Sequence, residues 1–173
     1  LEINDPNAMA LATANKEGLP NVRMVLLKGV DTGLVFYSNR NSQKGSELDQ
    51  NSNAALCFHW KSIRKQVRFK GQVSIINSAE SDSYFNSRPR GSRIGAIVSK
   101  QSSILESPKI FAEEYEKYSI ENENIELTRP DNWVGYRLIP SEVEFWLNSE
   151  FRLHQRLRFK LNSNVWIKNY LYP

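Results

Sequence analysis

Residues 54–77 read AALCFHWKSIRKQVRFKGQVSIIN. An apolar run ends at Trp60, four residues follow, and a second run begins in which Gln66, Arg68 and Lys70 alternate with Val67 and Phe69. Side chains point to opposite faces at every step along a strand, so this alternation predicts a strand with one apolar and one polar face. The polar face is expected to be solvated, as most charged side chains are. Two neighbouring strands in the middle of the first half make the sheet the organising element of the chain.

The sequence upstream repeats the pattern. AMALATA (8–14), NVRMVLLKGV (21–30) and LVFYSN (34–39) read as strands, separated by the turn-forming NKEGLP and DTG. NSQKGSELDQN (41–51) reads as a short helix in spite of Gly45. Downstream the period changes. Asn77 and Glu80 are spaced as a capping box, and the helix they open must stop before Pro89 in SRPRGS. RIGAIVS (93–99) reads as a second short helix. A third starts with Ser107 as its cap and Pro108 at its first position, with Ile110, Phe111, Tyr115 and Tyr118 as its expected core stripe. WVGYRLIP (133–140), EVEFWLN (142–148), FRLHQRLRFKL (151–161) and NVWIKNYLYP (164–173) return to strand-forming residues. Strands, then helices, then strands predict an α+β, mainly β fold: an antiparallel split β-barrel with peripheral helices, as one domain over residues 1–173.

Composition excludes several classes of function. The chain has 173 residues, 40% of them hydrophobic, and a net charge of +4. No apolar run approaches the roughly 20 residues of a membrane-spanning helix. Its single cysteine, Cys57, lies in an apolar run and reads as a small buried hydrophobe in a reducing, cytoplasmic setting. Two histidines far apart in sequence make no metal site, and His59 reads as structural or surface-exposed. Phosphate-binding glycine motifs and the nucleophile elbow are missing. The chain begins at Leu1 rather than at a methionine, which leaves room for residues upstream.

Short basic and hydroxyl-bearing clusters remain: RMVLLK (23–28), SQK (42–44), SRPRGS (87–92), SKQSS (99–103) and RLHQR (152–156). Guanidinium forks, ammonium groups and hydroxyls are the groups that hold phosphate. Read as a strand, SEFRLHQRLRF (149–159) sets Arg152, His154 and Arg156 in a row on one face, three cationic or titratable groups that call for an anion, a ligand or water. Whether the clusters converge is beyond periodicity.

From DPNAM (5–9) to YLYP (170–173), with FYSN, FHWKSIRKQV, YFNSRPRGSRIGAIVSKQSS, VEFW and RLHQR between, the chain resembles the pyridoxine (pyridoxamine) 5′-phosphate oxidases. The resemblance implies an FMN-dependent enzyme of vitamin B6 metabolism. It would oxidise pyridoxamine or pyridoxine 5′-phosphate to pyridoxal 5′-phosphate with dioxygen as acceptor, releasing hydrogen peroxide. It implies a homodimer with FMN at the subunit interface, and no nucleic-acid or membrane partner. Matched residue by residue, it assigns Arg23, Met24, Val25, Leu26, Leu27, Lys28, Tyr37, Ser38, Lys44, Gln66, Gln101, Ser102, Trp146 and Arg156 to FMN, with Arg23 and Lys44 at its phosphate. It assigns Lys28, Tyr84, Arg88 and Ser92 to the substrate phosphate, and Arg152 and His154 to holding the substrate over the flavin. Differences from the family pattern are Gln43 in place of an arginine, NSEF (148–151) in place of a Gly-Gly stretch, Gln155 in place of Asp, and Tyr170 in place of Arg. The loss of charge at Gln43 predicts weaker FMN binding. Two alternatives stand beside this reading: a split-barrel flavin binder with altered substrate or lost oxidase activity, and a basic β-barrel that binds single-stranded nucleic acid, for which FHWKSIRKQVRFKG offers interleaved aromatic and basic residues.

Overall fold

The computed structural model describes residues 5–173. They form nine strands, β1 (Ala8–Ala14), β2 (Pro20–Leu26), β3 (Gly29–Val30), β4 (Leu34–Asn39), β5 (Asn53–Trp60), β6 (Lys65–Ile75), β7 (Trp133–Leu147), β8 (Gln155–Asn162) and β9 (Val165–Leu171). Four helices accompany them: α1 (Gln43–Gln50), α2 (Ser78–Ser87), α3 (Arg90–Val98) and α4 (Pro108–Glu121). The strands make one sheet in the order β2-β1-β5-β6-β7-β4-β3, with β8 paired to β7 and β9 to β8. The strand-rich α+β reading holds. The chain divides into two compact units, one of residues 1–36, 47–74 and 137–173, the other of residues 37–46 and 75–136.

In the first unit β1 alternates buried Met9, Leu11 and Thr13 with half-buried alanines. It pairs antiparallel with β2 on one side and β5 on the other, and β5 pairs antiparallel with β6. Leu56, Phe58, Val67 and Val73 complete the buried face. The hairpin β8–β9 turns at Ser163 and Asn164, both at positive φ, the backbone of a two-residue turn whose twist suits the flanking strands. In the second unit Phe85 and Ile94 are buried, α2 is capped by the Asn77 side chain accepting from the Glu80 amide at 2.8 Å, and α4 by Ser107.

Five local expectations change. NVRMVLLKGV is not one strand but divides into β2 and β3. WVGYRLIP and EVEFWLN are one strand of 15 residues, β7, that runs through Pro140. The polar face of β6 is not simply solvated: Arg68 pairs with Glu144, and Lys70 with Glu142 at 3.1 Å. Of the expected core stripe of α4, Phe111, Tyr115 and Tyr118 are half-buried and Ile110 is exposed, and no residue of that helix is fully buried. The strand expected from Phe151 starts only at Gln155, because Glu150–Arg152 form a helical turn with Phe151 and Arg152 at φ 54° and 62°. The Leu153 amide donates to the Glu150 carbonyl at 3.0 Å and closes that turn. Arg152, His154 and Arg156 therefore do not form a row on one strand face.

Glycine is required where β6 meets β7. A Cβ on Gly71 would stand 1.9 Å from the Ile139 carbonyl oxygen and 2.9 Å from the Pro140 Cα, both backbone atoms. Gly45, the residue that argued against α1, is needed for the same reason, since its Cβ would stand 2.0 Å from the Arg40 carbonyl oxygen. Gly71→Ala is expected to lower stability by about 2 kcal/mol, the range of overpacking in a close-packed site, measured as a shift in the urea midpoint at unchanged m-value.

Candidate functional site

Several candidate residues come together within the first unit. Gln66 on β6, Trp146 on β7 and Arg156 on β8 line one cavity of about 380 Å³, with Phe145, Leu157 and Tyr170. Trp146 and Arg156 are cross-strand partners in the β7–β8 register, which puts them on the same face. Arg156 is fixed from two sides: its Nε donates to Glu144 at 2.9 Å and one terminal nitrogen donates to the Tyr172 carbonyl at 3.0 Å. Glu144, 4% exposed, also accepts from Arg68. Burial pushes the Glu144 carboxyl up, but the hydrogen bonds and charges of Arg156 and Arg68 outweigh it and hold it below the usual glutamate value. The same hydrogen bond raises the Arg156 guanidinium further above its ordinary value. The His154 ring lies 4.6 Å from that of Trp146, and its Nδ1 accepts from the Ser149 amide at 3.3 Å. A ring that accepts through Nδ1 carries its proton on Nε2 when neutral. Arg152 is exposed in the turn at positive φ.

Arg23 lies in a different arrangement. It donates to Thr13, to the Leu11 carbonyl at 3.2 Å and to Glu47 at 3.1 Å. Thr13 passes its own hydroxyl proton toward Glu47, and Asn21 donates to the other carboxylate oxygen at 3.2 Å. The guanidinium assigned to a cofactor phosphate is thus already held by a buried carboxylate. Of the remaining RMVLLK residues, Met24 and Leu26 expose 65% and 41% of their surface on β2, Val25 and Leu27 are half-buried, and Lys28 is exposed, its amide bonded to the Val35 carbonyl at 2.8 Å.

The second unit gathers two further groups. Lys44, 8% exposed, donates to Ser42 Oγ at 3.1 Å and to Gln101 Oε1 at 3.0 Å, and Ser38 Oγ donates to the same Gln101 oxygen at 3.2 Å. Three expected FMN residues therefore meet at one point. Ser102, adjacent, is exposed at φ 72° in the turn closed by the Ser103 amide on the Lys100 carbonyl. The other group is aromatic. Tyr37 stacks on Tyr84 at 4.0 Å and on Trp133 at 5.2 Å, and the Arg88 guanidinium lies 4.7 Å above the Trp133 ring. One terminal nitrogen of Arg88 is buried without a hydrogen-bond partner, and Arg88 has no carboxylate partner among the described residues. Burial lowers its guanidinium below the ordinary value, against a smaller raising effect of Tyr84. A cation kept there by an indole face and not by an acid is suited to receive an anion. Ser92 is exposed on α3, one turn after Arg88. Arg90, the second arginine of SRPRGS, does something else: it donates to the Asn122 and Ile125 carbonyls and holds the end of α4.

Sequence reasoning missed Trp133, Glu144, Glu47 and Thr13. The signal for Glu144 was its spacing of two from Trp146, which places both on one face of β7. The others lacked a local signal, since their partners lie far away in the chain. No group of three or more metal-ligating side chains occurs among the described residues.

The profile of a family described as pyridoxamine 5′-phosphate oxidase matches residues 2–120, and that of the pyridoxine 5′-phosphate oxidase C-terminal dimerisation region matches residues 133–173. The chain is 52% identical to a pyridoxine/pyridoxamine 5′-phosphate oxidase of Agrobacterium fabrum and 53% identical to one of Rhizobium etli, in each case over 99% of this chain and 85% of the relative. Among solved structures it superposes on PhzG from Burkholderia lata, in complex with tetrahydrophenazine-1-carboxylic acid, with a TM-score of 0.93 at 31% identity, covering 98% of this chain and 84% of that one. A pyridoxamine 5′-phosphate oxidase-related, FMN binding protein from Nostoc punctiforme shares the fold at a TM-score of 0.78 and 17% identity, over 99% and 90% of the two chains.

The Glu47 network has a pH signature. Burial raises this carboxyl, but the donors Thr13, Asn21 and Arg23 together hold it below its ordinary value. A carboxyl lowered on folding contributes stability above its unfolded pKa of about 4.3, and that contribution is lost as pH falls through the lower folded value. Glu47→Gln is expected to cost about 3 kcal/mol at pH 7 by leaving Arg23 without its counter-charge. Wild type and variant should converge as pH drops below about 4, read from thermal melts across pH 3–7.

Proposed function

Because the chain belongs to the pyridoxamine 5′-phosphate oxidase family, we propose that it oxidises pyridoxine or pyridoxamine 5′-phosphate to pyridoxal 5′-phosphate, with FMN as cofactor and dioxygen as the final acceptor. The observation that carries this reading is Arg88: a guanidinium stacked on Trp133 with a buried nitrogen that lacks a partner, beside the Tyr84 ring stack. A dianionic phosphate supplies the missing charge and acceptors. Tyr84 and Ser92 offer two hydroxyls to that phosphate.

The residues present fit FMN. Lys44, Ser38 and Gln101 supply an ammonium, a hydroxyl and an amide at one point, suited to polar oxygens of the cofactor. Gln66, Trp146 and Arg156 line a cavity with an amide, an indole and a guanidinium, suited to a flat heteroaromatic ring bearing carbonyls. FMN held there would supply two-electron redox chemistry between the substrate and dioxygen, with hydrogen peroxide as the reduced product. The chain's own residues position and shield. Arg88, Tyr84 and Ser92 anchor the substrate by its phosphate. Arg152 and His154 hold the ring, and His154, with its Nδ1 committed to the Ser149 amide, offers Nε2–H as a donor to a ring substituent. Arg23 stays with Glu47 and acts at the FMN phosphate through the positive edge it leaves, while Lys44 is the cation that remains there next to the uncharged Gln43.

The functional form is a homodimer in this reading. Residues 133–173 match a dimerisation region, and β2, at one end of the sheet order, exposes Val22, Met24 and Leu26. An edge strand with three exposed apolar side chains calls for cover, and a second copy with FMN at the shared interface supplies it. The cytoplasm suits a chain with one cysteine; among the described residues no helix is long and apolar enough to cross a membrane.

The test is an assay of FMN-reconstituted protein with each phosphorylated vitamer, following pyridoxal 5′-phosphate by absorbance and peroxide by a coupled peroxidase. Both products should appear, and neither should form with the unphosphorylated vitamers at equal concentration. Arg88→Lys, which keeps the charge but loses the planar fork, should raise KM for the phosphorylated substrate by about tenfold or more, with FMN still bound. FMN-loaded protein that makes neither product would refute the assignment.

A further inference from the structure

We propose that Glu144 is a positioning residue for the flavin: it holds the Arg156 fork in the orientation that FMN binding requires. The inference rests on the oxidase reading, because it needs FMN at the cavity that Arg156 lines. Glu144 lies on β7, two residues before Trp146, with its side chain 5% exposed. One carboxylate oxygen accepts from Arg156 Nε at 2.9 Å, and the other accepts from Arg68 on the neighbouring strand β6. A third arginine, Arg158, is its direct cross-strand partner on β8 and shares its face. Two guanidiniums, those of Arg156 and Arg68, thus share a single buried carboxylate, which is the negative charge that lets them coexist.

The hydrogen-bond count shows what this does to Arg156. Nε is taken by Glu144 and one terminal nitrogen by the Tyr172 carbonyl. The other terminal nitrogen carries no hydrogen bond among the described residues, so it is the donor kept for the cavity. Arginine loses much rotamer freedom when it binds a ligand, and a side chain already fixed from two directions has lost it beforehand. Without the Glu144 charge the Arg156 and Arg68 guanidiniums repel one another, and Arg156 is driven off the position that Glu144 gives it. Glu144 touches the cavity through Arg156 alone, for it is not among the residues that line it.

The experiment is a double-mutant cycle read by FMN affinity, measured from quenching of flavin fluorescence on titration into apoprotein. Glu144→Gln keeps the shape, keeps one acceptor and removes the charge. It should weaken FMN binding by about tenfold, while KM for the phosphorylated substrate at saturating FMN changes less than twofold. Arg156→Lys should weaken FMN binding to a similar extent. The decisive value is the double variant: if Glu144 acts through Arg156, Glu144→Gln adds nothing to Arg156→Lys. Additive losses would overturn the proposal, as would a Glu144→Gln protein that binds FMN like wild type. Arg68→Met should leave FMN affinity within about threefold, and a tenfold loss there would move the role to Arg68 and overturn it too. If Glu144→Gln does not fold, the cycle is run with Glu144→Asp, which keeps the charge at shorter reach; a loss that vanishes in the Arg156→Lys background supports the proposal and one that persists overturns it. A wild-type protein that binds no FMN would overturn the oxidase reading and this proposal together, whereas normal FMN binding by wild type and Glu144→Gln alike removes only the latter.

Discussion

Glu144 accepts from Arg156 through one oxygen and from Arg68 through the other, and Glu47 does the same for Arg23 and its neighbours Thr13 and Asn21. These two buried carboxylates answer the main physical problem of the fold. A chain that must handle phosphorylated molecules needs arginines near its sheet, and a half-buried guanidinium without a counter-charge is costly. Each acid sits on a strand or helix already fixed by the core, and each sets the direction of an arginine that the sequence marks as a candidate ligand. The donors outweigh the burial penalty in both cases, so both acids remain charged well into the acid range.

Arg88 is handled in the opposite way. It is kept over an indole ring, with no acid to neutralise it. Trp133 is itself fixed, since Arg129 donates to its carbonyl at 2.8 Å and Phe85 packs edge-on to its ring at 5.4 Å. The contrast separates arginines oriented by acceptors inside the protein from one held by an aromatic face. Arg23, Arg90 and Arg156 have internal acceptors; Arg88 has an aromatic face and a buried nitrogen without a partner. That difference in company distinguishes Arg88 more sharply than its positive charge does.

The turn at Glu150–Arg152 shows how a residue list drawn from motifs can rest on a wrong local shape. Alternation in SEFRLHQRLRF predicts a continuous strand, yet Phe151 and Arg152 both adopt left-handed backbone, which costs on the order of 1–3 kcal/mol each for residues other than glycine. The Glu150 carbonyl and the His154 ring nitrogen satisfy amides inside this turn, and neither contact has a signature in a period-two pattern. The Gly-Gly stretch usual in the family would adopt such backbone freely; here serine, glutamate and phenylalanine occupy the region and the turn forms all the same.

By itself the sequence determined the strand-rich fold and the caps of α2 and α4, because strand alternation and capping side chains are local properties written within a few residues; the candidate residues came from the resemblance of its motifs to the family. Tertiary structure alone decided which of those residues meet. Lys44 and Gln101 are 57 residues apart and share a hydrogen bond; Arg68 and Glu144 are 76 apart and share a charge. It also decided that Arg23 is bound to an acid, that Arg88 is not, and that RLHQR begins in a turn. The physical reason is the same for all three. Hydrogen bonds, ion pairs and ring stacking act over a few ångströms in space, and only the sheet register and the packing of the helices bring those distances about.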